Sequence, residues 1–196
     1  MKIITWNLLH STGATLDHVT SLIAQHDPDL LLMQEATTII DALPTRIGGH
    51  YARTVLPGRH HGLAAWSKTP FHSPAKNLKL QRGVIVRRIA QILDFETLSI
   101  ANVHLSHGQL LNRIQLRQIA KILPARAAIL GDCNMVGAPL LPGFTDAGPR
   151  IPTHNAANRL PLRLDRCFTR NLVACDAKIL PPGASDHHPL KITLSV

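Results

Sequence analysis

Aromatic side chains are scarce in this chain, at 4% of 196 residues, and acids are few: 12 Asp and Glu stand against 21 Lys and Arg, a formal net charge of +9. So few rings exclude an extended base-stacking platform of the kind that grips single strands. The deficit of acid leaves a basic surface, which attracts polyanions: nucleic acid, phosphorylated metabolites or an anionic membrane. Cysteine is nearly missing as well. Cys133, Cys167 and Cys175 lack scaffold or ligand spacing, which excludes a disulfide framework and a zinc ribbon and fits a reducing compartment. The histidines are scattered rather than spaced as zinc ligands. No apolar run reaches the roughly 18 residues that a bilayer span needs. The opening MKIITWNLLHSTG has too short an apolar stretch for a signal peptide. These absences lead us to expect a cytoplasmic, monomeric protein with one domain over residues 1–196.

What is present is a succession of short apolar segments. KIITWNLL mixes β-branched and aromatic residues as strands do. From Thr15 to His26 the apolar residues Leu16, Val19, Leu22 and Ile23 share a helical face, with Thr15 as N-cap. LLLM then reads as a strand buried on both faces. Further strands are predicted at 62–67, 84–94 and 98–105, and a helix from Gln109 to Leu123 that Pro124 stops. RAAILGDCN is another buried strand, followed by a Pro- and Gly-rich loop from Gly137 to Pro161. Strands near 163–170, 173–180 and 189–195 complete a layered α/β protein with mixed sheets.

Polar residues recur where these strands stop: Asn7, Glu35, His104, Asp132, Asn134, Asp165, Asp186 and His187. One such residue is ordinary strand termination. A set of carboxylates, amides and imidazoles suggests side chains converging at one sheet edge, where α/β proteins commonly bind ligands. The chemistry they suit is phosphoester hydrolysis, whose transition state needs its negative charge neutralised and a water aligned. Glu35 can hold a hard divalent cation, magnesium or manganese. Asn7 and Asn134 can hydrogen-bond phosphate oxygens without adding charge, Asp132 can align and deprotonate the water, and a carboxylate-held histidine can donate to the phosphate.

In order along the chain, TWNL, LMQEAT, NVHL, GDCN, RLDRCF and SDHHPL resemble the motifs of the DNase-I-like endonuclease–exonuclease–phosphatase superfamily. The resemblance implies a four-layer sandwich of two mixed β-sheets flanked by helices. It implies that Glu35 is the principal metal-binding residue, that Asn7 lies near metal and phosphate, and that Asp186 approaches the metal. It also implies that Asp132, with Asn134 beside it, orients the attacking water, and that Asp165 orients His187. His104 corresponds to a phosphate-contacting histidine of the nuclease and sphingomyelinase branches. The abasic-site branch carries a Tyr-x-Pro-Asn motif instead, which NVHLSHG does not supply. No acid lies between Asp41 and Asp94 to hold His104, so a backbone carbonyl or an amide is expected there.

That same acid-free stretch holds Arg46, Arg53, Arg59, Lys68, Lys76, Lys79, Arg82, Arg87 and Arg88, groups able to follow a phosphate backbone. PGRHHG, a polar loop leading into a buried strand, nominates Arg59, His60 and His61 for substrate contact, together with Arg87 and Arg88. The stripe of Arg113, Arg117 and Lys121 is expected to be the wet face of its helix. The expected activity is metal-dependent hydrolysis of DNA or RNA phosphodiesters with little sequence specificity. A small-molecule or lipid phosphoesterase and a non-catalytic basic binding module are the alternatives.

Overall fold

The computed structural model describes residues 1–83, 86–155 and 161–195. Its elements run β1 (Lys2–Asn7), α1 (Leu16–His26), β2 (Leu30–Ala36), a 3-10 turn (Thr38–Ala42), α2 (Leu43–Ile47), β3 (His50–Val55) and β4 (Gly62–Ser67). They continue with β5 (Lys76–Lys79), β6 (Ile89–Asp94), β7 (Ser99–His104), α3 (Gln109–Ile122), β8 (Ala127–Asp132), β9 (Thr145–Asp146), β10 (Asp165–Arg170), β11 (Val173–Ile179) and β12 (Leu190–Ser195). Two mixed 6-stranded sheets result, in the orders β11-β12-β1-β2-β4-β3 and β5-β6-β7-β8-β10-β9.

Side-chain alternation along the strands sorts the core into three layers of packing. Ile3, Leu30, Leu32, Ile100, Ala128 and Leu130 meet between the sheets. Ile4, Trp6, Leu31 and Met33 face the other way, under Val19 and Ile23 of α1. Val103 and Ile129 pack beneath Leu116 and Ile119 of α3. Helix, sheet, sheet, helix is the four-layer order expected. Apolar contact alone does not set how the sheets face each other. Asn102, fully buried, donates through Nδ2 to Met33 O (3.2 Å), Ala64 O (3.0 Å) and Gln91 Oε1 (3.1 Å), and accepts from Gln34 Nε2 at 2.8 Å. This amide ties both sheets at one register, because any slide leaves buried polar groups unpaired.

Thr15 caps α1 as expected, its Oγ1 accepting from His18 N at 3.4 Å. The strand expected over 84–94 begins at Ile89; residues 84 and 85 lie outside the described residues, and 86–88 belong to no strand. β3 and β5, edge strands whose residues are mostly polar or half-exposed, have no apolar alternation to announce them. The loop from Gly137 onward holds β9, which pairs Phe168 with Asp146. Asp146 there accepts from Arg163 Nη2 (2.6 Å) and Arg166 Nη1 (2.9 Å), so an ion triad secures this passage. The basic stripe of α3 has a task too. Arg113 donates to Val136 O (2.8 Å) and Ala138 O (2.7 Å), and Arg117 to Leu140 O (3.3 Å), so both satisfy loop carbonyls rather than only facing water.

Candidate active site

Strand pairing alone brings three of the strand-end residues together. His104 closes β7 opposite Asp132, the last residue of the parallel β8, and Asp132 in turn faces Asp165, the first residue of antiparallel β10. β8 can approach β7 this closely because residue 131 is glycine. With φ at +137°, a Cβ there would sit 2.1 Å from Val103 O. The other sheet contributes the same edge. Asn7 ends β1, and Glu35 occupies a bulge in β2, where the register with β4 shifts between Gln34 and Ala36. Glu35 has φ +57°, a conformation a non-glycine residue keeps only when its surroundings enforce it, and the bulge re-aims its side chain. Asn134, at φ +46°, is a second such position beside the same edge.

Asp132 is the centre of the arrangement. Its Oδ2 accepts from Asn7 Nδ2 at 3.1 Å and its Oδ1 from Asn134 N at 2.9 Å. His104 Nε2 lies 3.3 Å and His187 Nε2 3.8 Å from Oδ2. His187 Nδ1 contacts Asp165 Oδ2 at 2.8 Å. His104 thus has carboxylates near both nitrogens, Asp132 Oδ2 at 3.3 Å from Nε2 and Glu35 Oε1 at 4.0 Å from Nδ1. Asn134 is turned inward, its Nδ2 donating to Leu105 O at 3.0 Å.

The two imidazoles beside Asp132 are driven apart in protonation. Burial lowers the pKa of His104 well below the usual histidine value, and Arg88 adds to the effect, so this ring is neutral. Burial also disfavours charge on His187, but Asp165, Asp132 and Asp186 outweigh it and push its pKa up to about 10. His187 is thus an imidazolium at neutral pH. Such divergence between neighbouring groups separates acid, base and electrostatic roles. For Glu35, burial raises the pKa, yet hydrogen bonds from the ring and the backbone N–H of His10 win and hold it below the usual carboxylate range.

Glu35 and His187 line one cleft of about 500 Å³, together with Asn7, Arg59, His61, Arg88, His104, Asp132, Asn134 and Asp186. Asp165 lies behind His187, only 1% exposed. Asp186 lines that cleft with Glu35; it lies 3.3 Å from His154 Nε2, and its Oδ1 is buried and without a hydrogen-bond partner. His10 and His61 group with Glu35, and His154 and His187 with Asp186. Of the nominated substrate contacts, Arg59, His61 and Arg88 face the cleft; His60 is exposed and packs edge-on to the rings of His10 and His61, and Arg87 is exposed away from the lining. His188 points elsewhere, its Nδ1 2.9 Å from Leu180 O.

The basic stretch is less free than its sequence suggests. Arg46, Arg53, Lys68 and Lys76 pair with Asp17, Asp41, Asp27 and Asp94. Arg88 differs: only 5% exposed, it has no carboxylate at ion-pair distance among the described residues, and its Nε is buried without a partner.

Residues outside the strand-end pattern also shape the site. Ser185 Oγ donates to Asn7 O (2.7 Å) and accepts from His187 N (3.1 Å), and Trp6 Nε1 donates to His187 O (3.0 Å), which pins the SDHH turn onto β1. Thr153 Oγ1 accepts from Leu164 N (3.0 Å) and Asp165 N (2.9 Å) and so positions Asp165. His10 and His154 lie in loops beyond the strand ends. The histidine closing NLLH, three residues past Asn7, was the signal available for His10.

The profile of the Endonuclease/Exonuclease/phosphatase family matches residues 4–187. The chain belongs to that family. As a member it is a metal-dependent phosphoesterase. No curated protein matches it in sequence. The fold is shared with TDP2 from D. rerio complexed with a single-strand DNA product, at 17% identity over 100% of this chain and 99% of that one, TM-score 0.81. It is shared as well with a 3' phosphatase from Neisseria bound to a product DNA hairpin (19% identity, 100% of both chains, TM-score 0.73). A mannosyl-6-phosphatase from Bacteroides thetaiotaomicron is similar too (15% identity, 100% of both chains, TM-score 0.76). No helix of the described residues is long and apolar enough to cross a membrane.

The donor set suits the family's divalent cation. Glu35 is ionised, reaches the cleft and is met there by side chains rather than sealed in a salt bridge to Arg or Lys.

Proposed function

We propose that this chain hydrolyses phosphodiester bonds of DNA or RNA with little regard to sequence. The observation that carries the reading is Arg88, a buried guanidinium with no carboxylate at ion-pair distance among the described residues and its Nε unsatisfied, lining the same cleft as Asp132 and His187. An unpaired buried cation is costly, and an anionic phosphoryl group entering the cleft would supply its partner.

In this reading Arg88 and the His187 imidazolium bind the phosphoryl oxygens and stabilise the charge that grows on them. Asp165 keeps His187 protonated and fixes its ring through Nδ1. Asp132 accepts the proton of the attacking water as its oxygen bonds to phosphorus and the bond to the leaving oxygen breaks. Asp132 is the base because His187, already protonated, cannot be. His104, neutral, donates to Asp132 or to substrate, and Asn7 holds the Asp132 carboxylate in place. Glu35 would hold a divalent cation, with Asn7 nearby; that ion supplies positive charge to the phosphoryl and leaving oxygens when bound. Asp186, paired with His154, lines the cleft beside His187.

Nucleic acid is favoured by the net charge of +9 and by Arg59 and Arg87, exposed without acid partners among the described residues. The relatives solved with DNA point the same way. A small phosphomonoester is the second reading, favoured by the pairing of Arg46, Arg53, Lys68 and Lys76 with acids, which shortens any track for a polymer backbone.

The test is a panel of supercoiled plasmid, single-stranded DNA, RNA and a sugar phosphate, run with magnesium or manganese and with Asp132→Asn as the blank. Plasmid, single strand or RNA should be cut, with binding that weakens steeply as salt rises. Turnover confined to the sugar phosphate, with a flat salt response, would overturn the nucleic-acid reading. Full activity in excess chelator would remove the cation from it.

A further inference from the structure

Two imidazoles beside Glu35, His61 in the cleft lining and His10 in the loop after β1, have no task in the scheme above. The rings of His10 and His61 stack, with centroids 4.0 Å apart and planes 13° from parallel. His10 Nδ1 contacts Glu35 Oε2. One ligand atom each from His10, Glu35 and His61 lies within 4.8 Å of the other two. His61 is only 7% exposed, yet its Nδ1 is buried without a hydrogen-bond partner. An unsatisfied buried nitrogen is unfavourable, and here it belongs to a residue that lines the cleft beside a carboxylate.

Donors bound at roughly 2.0–2.1 Å around a tetrahedral ion stand about 3.3 Å apart. The three donors, each within 4.8 Å of the others, would have to adjust to that spacing, and His10, 31% exposed in the loop after β1, is the least confined of them. The chemistry of the donors then matters. Magnesium takes oxygen ligands and keeps several waters. Two imidazoles and one carboxylate suit first-row transition ions, whose affinity for such a site rises from manganese to copper and falls back at zinc.

We propose that His10, Glu35 and His61 form an imidazole–carboxylate seat for a first-row transition ion, manganese through zinc, in preference to magnesium. The inference rests on the reading above only in sharing Glu35, which here carries its cation with nitrogen donors beside it.

The test measures binding apart from turnover. Metal-free protein is titrated with Co2+, followed by its visible d–d absorption, and with Zn2+, Mn2+ and Mg2+ by calorimetry. Wild type is compared with His10→Ala, His61→Ala, the double variant, His154→Ala, and His72→Ala as an exposed control, each checked for its thermal transition. We expect one Co2+ or Zn2+ per chain without the near-ultraviolet band of a cysteine thiolate ligand, bound at least about 100-fold tighter than Mg2+. Each single variant at His10 or His61 should weaken Co2+ by about 10- to 100-fold, with His154→Ala and His72→Ala unchanged. Should His61→Ala fail to fold, His10→Ala and the ring 15N shifts of His61 in zinc-loaded wild type decide the matter. Equal affinity for Mg2+ and Zn2+, Co2+ binding indifferent to both imidazoles, or binding lost in His154→Ala instead would overturn the proposal. The two readings fail separately. Tight zinc binding without hydrolysis under any metal sinks the phosphoesterase scheme and leaves the seat. Hydrolysis with magnesium and imidazole-independent zinc binding does the reverse.

Discussion

Replacing Asp165 by asparagine removes one charge and almost no volume, so it isolates what holds His187 protonated. The folded imidazole is pushed from 6.5 up to about 10, against burial, with Asp165 the foremost cause that raises it and Asp132 the next. At 1.36 kcal/mol per unit, that displacement corresponds to an upper bound of about 5 kcal/mol favouring the charged ring. An opposite charge at this distance accounts for roughly 1–3 units, so Asp165→Asn should bring His187 down to somewhere about 7–9, with Asp132 holding the remainder. The sign for stability follows. Because the folded pKa is raised, this contribution is fully present below the unfolded value near 6.5 and is lost as pH rises through about 10. The variant should therefore be less stable than wild type at pH 6 and lose the difference by pH 10. With a folded pKa of about 7–9, roughly a tenth to nine-tenths of the ring stays charged at pH 8, so the rate there should fall by up to about 10-fold, and the alkaline limb of its pH–rate profile should move toward neutrality. The assay is a 15N-imidazole titration of metal-free protein from acid to alkaline pH, set beside urea unfolding and rate profiles. Wild-type His187 titrating near the ordinary histidine value, or an unmoved titration in the variant, would refute the reasoning.

Asn102→Ala strips partners from Gln34, Gln91 and two carbonyls at once; unfolding in urea should show a loss of about 3–5 kcal/mol, and a loss below about 1 would mean the inter-sheet amide is dispensable. Asp146→Ala leaves Arg163 and the buried Arg166 without their shared carboxylate, and the same measurement should register about 3–5 kcal/mol; near-neutrality would show that the loop is secured otherwise. Gly131→Ala drives a Cβ into Val103 O and should abolish soluble folded protein or cost more than about 3 kcal/mol, which circular dichroism and thermal melts will report. A variant melting with wild type would show that β7 and β8 are free to separate.

The site's main residues were legible because parallel and antiparallel ladders end together. His104, Asp132 and Asp165 are opposed across β7, β8 and β10, and a polar residue at the end of an apolar strand is visible in one dimension. His10 and His154 were not visible in that way. They sit in loops, where no periodicity marks the direction of a side chain. Where each lands depends on how its loop returns to the sheet edge. The same holds for Ser185 and Thr153, whose hydroxyls position His187 and Asp165 through contacts with distant backbone. β3 and β5 escaped for a related reason: edge strands bury little, so their residues carry no alternation to read.

By itself the chain's order of residues determined the buried strands, the layered class, the ordered family motifs and the carboxylate–amide–imidazole inventory. All of these depend on local hydrophobic pattern or on residue identity. Tertiary structure alone decided which charges cancel and which stand free. Arg53 and Asp41, or Lys76 and Asp94, look like unrelated residues until folding pairs them, whereas Arg88 is buried in the cleft with no carboxylate at ion-pair distance among the described residues. It also decided that His104 is neutral and His187 charged. Protonation answers to burial and to neighbours within a few ångströms, and those neighbours come from strands far apart in the chain.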